Sequence, residues 1–199
     1  KNKSHYLFIS APENVAWLLN IRGHDNPYSP IPNCRLLIND RKEIFLISEI
    51  NKAKNLIKEK KIKKQNLIDP KNLHQFLNNI KKGKIIIDTQ SCSLFYENLL
   101  RKKFSLLRKQ DPIYLMKSIK NKLEIKNMIN SHISDGVALT KFLYWIKKVN
   151  KKKINEFQAQ TKLESFRKKN KNYLYPSFNT IAGTGENGAI IHYRANKIN

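Results

Sequence analysis

The sequence predicts two successive folds, an α/β domain over residues 1–115 and the N-terminal part of an α+β domain over residues 116–199. Three observations predict this. Short apolar runs alternate with helical patterns through the first part of the chain, a long helical period takes over near Ile119, and a glycine-rich stretch with β-branched flanks closes the sequence. Strands alternating with helices over short connections make a sheet covered by helices.

Taken in order, residues 5–10 (HYLFIS) read as a strand, and Ala11-Pro12-Glu13-Asn14 then opens a helix carrying Val15, Ala16, Leu18 and Leu19. Proline suits that start because its fixed φ matches the first helical turn. Residues 35–38 and 43–47 form two strands around the turn formers Asn39-Asp40, and residues 52–64 (KAKNLIKEKKIKK) read as the solvated side of a helix. Residues 72–80 are helical, 83–88 (GKIIID) a buried strand, and 91–102 a helix with Leu94, Phe95 and Leu99 on one side. Asp111-Pro112 punctuates the end of this domain. Residues 119–149 follow as one long helix with Ile125, Met128, Ile129, His132, Gly136, Leu139, Phe142, Leu143 and Ile146 at three- and four-residue steps, a face expected to be buried. Residues 154–169 make a second helix, which Tyr175-Pro176 ends. Residues 177–182 and the run AIIHYR are then the arms of a β-hairpin turned by residues 183–188.

Composition narrows the function. Hydrophobic residues at 40% and aromatics at 10% exclude a disordered or collagen-like chain. The 39 basic against 15 acidic residues give a net charge of +24, which invites a nucleic-acid reading. The excess is mostly Lys, accompanied by Asn and Ile, a trio that rises together in A/T-rich coding sequence. Arg clusters interleaved with aromatics, which read and stack on bases, are lacking. Cys34 and Cys92 are too far apart for a C-x-x-C pair and are expected as buried free thiols in a reducing compartment. No apolar run approaches the ~20 residues that span a bilayer. The first residue, Lys1, and the uncapped end RANKIN are expected of an internal piece of a longer protein.

Gly183-Thr-Gly185-Glu-Asn-Gly188 spells G-x-G-x-x-G. A phosphate loop needs a helix after it to supply N–H donors and a dipole, and AIIHYR has β propensity instead, so the stretch reads as a turn. It carries His192. His132, on the long helix, reads as an interior residue, and His24 in RGHDNPYSP as an exposed loop residue. No H-E-x-x-H, no carboxylate–histidine cluster of metal-ligand spacing and no G-x-S-x-G elbow is present.

Three segments in order, NVAWLLNIRGHDNPYSPIPNCRLLI (residues 14–38), IKNKLEIKNMINSHISDGVALTKFLYWI (119–146) and SFNTIAGTGENGAIIHYRAN (177–196), resemble the cytosolic three-domain Xaa-Pro aminopeptidases of the creatinase or pita-bread family. The resemblance implies most of a creatinase-like α/β domain in residues 1–115, then the start of a pita-bread catalytic domain in 116–199, with two helices and a β-hairpin. It implies a cytoplasmic metal-dependent hydrolase, homodimeric when full length, that releases the N-terminal residue from peptides with proline second. Its cofactor would be two divalent cations, typically manganese, whose bridged hydroxide attacks the carbonyl before proline. Their Asp, Asp, His, Glu and Glu ligands are expected beyond this sequence, so no metal ligand falls within it and the chain alone is expected to be inactive. By its place in GAIIHYR, His192 matches a histidine that contacts substrate near the scissile bond and stabilises the tetrahedral intermediate. Arg22 is given no substrate role. Two alternatives are a non-hydrolytic pita-bread module that binds protein and a basic nucleic-acid-binding domain; neither comes with a motif of its own.

Overall fold

The computed structural model describes residues 4–197. The chain divides into two compact units, Lys1–Ile119 and Lys120–Asn199.

The first unit is built on a six-stranded mixed sheet. Strands β1 (Tyr6–Ile9), β2 (Arg35–Asn39), β3 (Ile44–Ile47), β4 (Leu67–Ile68), β5 (Lys84–Ile87) and β6 (Ser105–Arg108) lie in the order β4-β3-β2-β1-β5-β6. The β1–β2 and β2–β3 pairs are antiparallel; β3–β4, β1–β5 and β5–β6 are parallel. Side chains alternate across a strand, so consecutive apolar residues feed both faces. Phe8, Leu37 and Ile47 join one core cluster, while their neighbours Ile9, Leu36 and Leu46 join the other. Both faces are covered, and that is why these strands read as unbroken apolar runs.

Helices α1 (Pro12–Leu19), α2 (Ile50–Lys58), α3 (Leu73–Asn79), α4 (Leu94–Arg101) and α5 (Pro112–Ser118) supply that cover. In α5, Pro112 follows the N-cap Asp111, whose carboxylate accepts the Ile113 N–H at 2.9 Å, and Ile113 is buried in the second cluster. Cys34 and Cys92 are both free and buried, and burial pushes the Cys34 thiol up to about 11.

The buried side of α4 differs from the expected one. Leu94 and Phe95 are 70% and 69% exposed, whereas Leu100 is buried and Tyr96 packs its ring 5.5 Å from Phe8. Tyr96 and Leu100 are four residues apart and therefore share a face, which leaves Leu94 and Phe95 turned away. Strands β4 and β6 are additions to the elements expected from the sequence.

The second unit contains α6 (Lys122–Lys148) and α7 (Glu156–Arg167). Both start with a capping box, Asn121 with Glu124 and Asn155 with Gln158, each side chain bonding the other's backbone N–H. Asp135 on α6 grips Arg167 on α7 through two bonds of 2.6 and 3.1 Å. The α6 face expected to be buried is not. Ala138 is buried and Phe142, Trp145 and Ile146 are half-buried, but Ile125, Met128, Ile129, Leu139 and Leu143 are 41–55% exposed. His132 is likewise exposed, its Nδ1 2.9 Å from the Met128 carbonyl one turn back, rather than interior. An apolar helical face is buried only where another element covers it. Among the described residues of this unit, α7 meets α6 through Arg167 on Asp135 and Lys162 over the Trp145 ring, on either side of the buried Ala138.

The expected hairpin is also absent among the described residues. Residues 177–184 and 190–197 form no strand, and a five-residue 3₁₀ turn, Gly185–Ala189, lies between them. The backbone bonds here are local: Asn187 N–H to the Thr184 carbonyl, Ile190 to Asn187 and Tyr193 to Ile190. A two-stranded ribbon is marginal without further strands or apolar cover. Ile190 and Ile191 remain 53% and 86% exposed.

Candidate substrate-binding turn

The turn that carries His192 is fixed by one carboxylate. Glu156 is the first residue of α7, directly after the N-cap Asn155. Its Oε1 accepts the Thr184 N–H at 2.7 Å and an Asn187 Nδ2 proton at 3.1 Å, and its Oε2 lies 3.2 Å from the same Nδ2 and accepts the Tyr193 hydroxyl at 3.1 Å. Asn187 Nδ2 also donates to the Tyr193 oxygen at 3.1 Å, closing the network. One side chain thus ties down both ends of the turn.

These bonds favour the ionised form. The Thr184 N–H foremost, then Asn187 and Tyr193, hold the Glu156 carboxyl below the ordinary glutamate value. With a depressed folded value, the clamp contributes stability above the ordinary glutamate range, and that contribution fades as pH falls through the lower folded value.

Glycine is required at two places. A Cβ at Gly183 would sit 2.6 Å from the Asn187 carbonyl oxygen, and Gly185 has φ of +55°. Gly183→Ala is therefore expected to open the turn and accelerate hydrogen exchange at the Thr184 amide. Unchanged exchange would show that the turn tolerates the methyl group.

His192 adopts φ of +56°, a left-handed conformation that histidine visits more readily than most residues. The ring is exposed, while the adjacent Tyr193 is buried at 7% and held by Glu156. An exposed imidazole on a fixed backbone can donate to or accept from a ligand. No buried apolar wall seals it off. His24 is exposed in its loop, as expected, and Arg22 NH1 donates to the Ile21 carbonyl at 2.9 Å. The sequence points to His192 but not to Glu156, Asn187 or Tyr193. The signal available was the Asn155-x-x-Gln158 capping box, which fixes Glu156 at the head of a helix. Among the described residues, no three His, Cys, Asp or Glu side chains come together as a metal site.

Two family models match in succession: the creatinase/prolidase N-terminal domain over residues 1–124 and metallopeptidase family M24 over residues 126–199. The chain is 32% identical to the Xaa-Pro aminopeptidase ApepP of Drosophila melanogaster over 199 residues, covering 96% of this chain and 32% of that protein. It is 33% identical to Xaa-Pro aminopeptidase 1 of Dictyostelium discoideum, covering 98% and 32%. Among solved structures, an X-prolyl aminopeptidase from Caenorhabditis elegans, described as a cytosolic enzyme with a di-nuclear active site, superposes with a TM-score of 0.78 at 24% identity, covering 96% of this chain and 32% of that one. A Xaa-Pro dipeptidase from Bacillus anthracis gives a TM-score of 0.57 at 12% identity, with 83% and 44% covered. This chain spans about a third of the length of the aminopeptidases it matches. It belongs to the creatinase/prolidase family, with a creatinase/prolidase N-terminal domain followed by a family M24 metallopeptidase segment.

Proposed function

We propose that this chain is part of a cytoplasmic, metal-dependent Xaa-Pro aminopeptidase, which removes the N-terminal residue from peptides with proline second, and that His192 contacts the substrate at the scissile bond. The observation that carries the reading is the placement of His192 within the M24 match: an exposed imidazole on a clamped turn, free to meet a ligand. The relatives named as Xaa-Pro aminopeptidases support the substrate class.

Within this reading His192 lends a hydrogen bond to the carbonyl oxygen as it gains charge. A donor already in place there needs no rearrangement when the charge develops. Two divalent cations, manganese the expected pair, also belong to the reading. The described residues do not fit such a pair, because they bring no cluster of ligands together; within this reading the ligands belong to a longer polypeptide.

The test compares two polypeptides. A longer protein containing this sequence should, with manganese, release the N-terminal residue from an Xaa-Pro peptide and leave an Xaa-Ala peptide intact, while these 199 residues alone should release nothing. Inactivity of the longer protein would overturn the reading, and turnover by the 199 residues would overturn the assignment of the ligands. The same protein is expected to sediment as a homodimer, and a monomer at micromolar concentration would remove that part of the proposal.

A further inference from the structure

We propose that Glu156 is the positioning residue for His192: it holds the Gly183–Tyr193 turn so that the imidazole is presented at a fixed place. This deepens the proposed function and rests on it for the catalytic consequence, though the hold itself is a property of the turn.

The geometry points to Glu156 for three reasons. Its backbone is immobilised at the start of a capped helix, where the helix dipole also favours a negative charge. Apart from its own backbone N–H, its described acceptor contacts go to this one turn, at Thr184, Asn187 and Tyr193, and among the described residues it forms no ion pair with Lys or Arg. Finally, its farthest contact is the residue next to His192. The left-handed φ of His192 sends the two neighbouring side chains different ways, Tyr193 into the clamp and His192 into solvent. Fixing Tyr193 therefore fixes the backbone from which the imidazole projects. The turn's own backbone bonds are short-range 3₁₀ contacts of 3.2 Å, which would not by themselves hold a loop of this length against α7.

Glu156→Gln keeps the size and the oxygen that accepts the Thr184 N–H, but puts an NH2 donor in place of Oε2, which can accept neither the Tyr193 hydroxyl nor the Asn187 amide. Tyr193→Phe removes only the hydroxyl. In the 199-residue chain, Glu156→Ala should raise the exchange rate of the Thr184 amide at least tenfold, and Glu156→Gln, which keeps that acceptor, should raise it less; both should shift the His192 ring signals in the NMR spectrum with α7 protection unchanged, and Tyr193→Phe should shift them less. In the longer protein, Glu156→Gln should lower kcat about tenfold or more with KM changed less than threefold. The double variant with His192→Ala should be no slower than His192→Ala alone, because two residues acting through one contact are not additive. Unchanged Thr184 exchange and His192 signals would overturn the proposal, and so would an additive double variant. If the longer protein proves inactive, the proposed function fails, while the exchange and ring signals still decide whether Glu156 holds the turn.

Discussion

Alanine in place of His192 should lower kcat of the longer protein by about 100- to 1000-fold, the loss of about 2.7–4 kcal/mol seen when one donor to a developing oxyanion is removed. KM for the peptide should change less than threefold, because a contact made chiefly in the transition state contributes little to ground-state binding. His192→Asn should retain more activity, since asparagine tolerates the left-handed backbone and keeps an N–H donor. Steady-state kinetics on an Xaa-Pro peptide checks both. A His192→Ala enzyme with wild-type kcat would show that the imidazole takes no part in the reaction. Stability is not expected to confuse the result, because the ring is exposed and makes no core contact.

The second large effect lies in the first unit. Phe8 is 2% exposed in the central strand β1, pairs with Leu37 of β2 and Ile87 of β5, and packs on Tyr96 of α4. Phe8→Ala removes that packing and leaves a cavity between sheet and helix, a loss of about 3–5 kcal/mol. Phe95→Ala, 69% exposed and touching only the Tyr96 ring edge-on, at 5.2 Å between centroids, should change stability by about 1 kcal/mol or less. Urea denaturation of the two variants discriminates sharply. Comparable losses would mean that the α4 face described here is not the one packed on the sheet.

That contrast shows where the sequence was legible and where it was not. Strands β1, β2, β3 and β5 were readable because each is an apolar run buried on both faces. Strand β6, with only Leu106 and Leu107 between Ser105 and Arg108, is half-buried at the sheet edge, and β4 has two residues; neither offers enough periodicity to stand out. In helix α4 the expected face holds for Leu99, which packs against the core, but not for Leu94 and Phe95, which are as apolar as the residues that pack. Only the identity of the neighbour, Phe8, selects Tyr96 and Leu100. The same limit applies to α6, whose apolar period is real while Ala138 alone of its described residues is buried. His192 stands out in the sequence only through the resemblance of GAIIHYR to a family segment. Glu156 does not, because its partners at 184, 187 and 193 are some thirty residues away and no short motif joins them.

If His192 acts as proposed, its imidazole recognises the transition state at an Xaa-Pro bond. The most direct measurement of this is the affinity of the longer protein for a non-cleavable peptide analogue with a tetrahedral oxyanion at the carbonyl before proline, compared between wild type and His192→Ala. Binding of that analogue is expected to be at least a hundredfold weaker in the variant, with the affinity for a planar substrate analogue changed less than threefold. Equal losses for both analogues, or none for the tetrahedral one, would contradict that role.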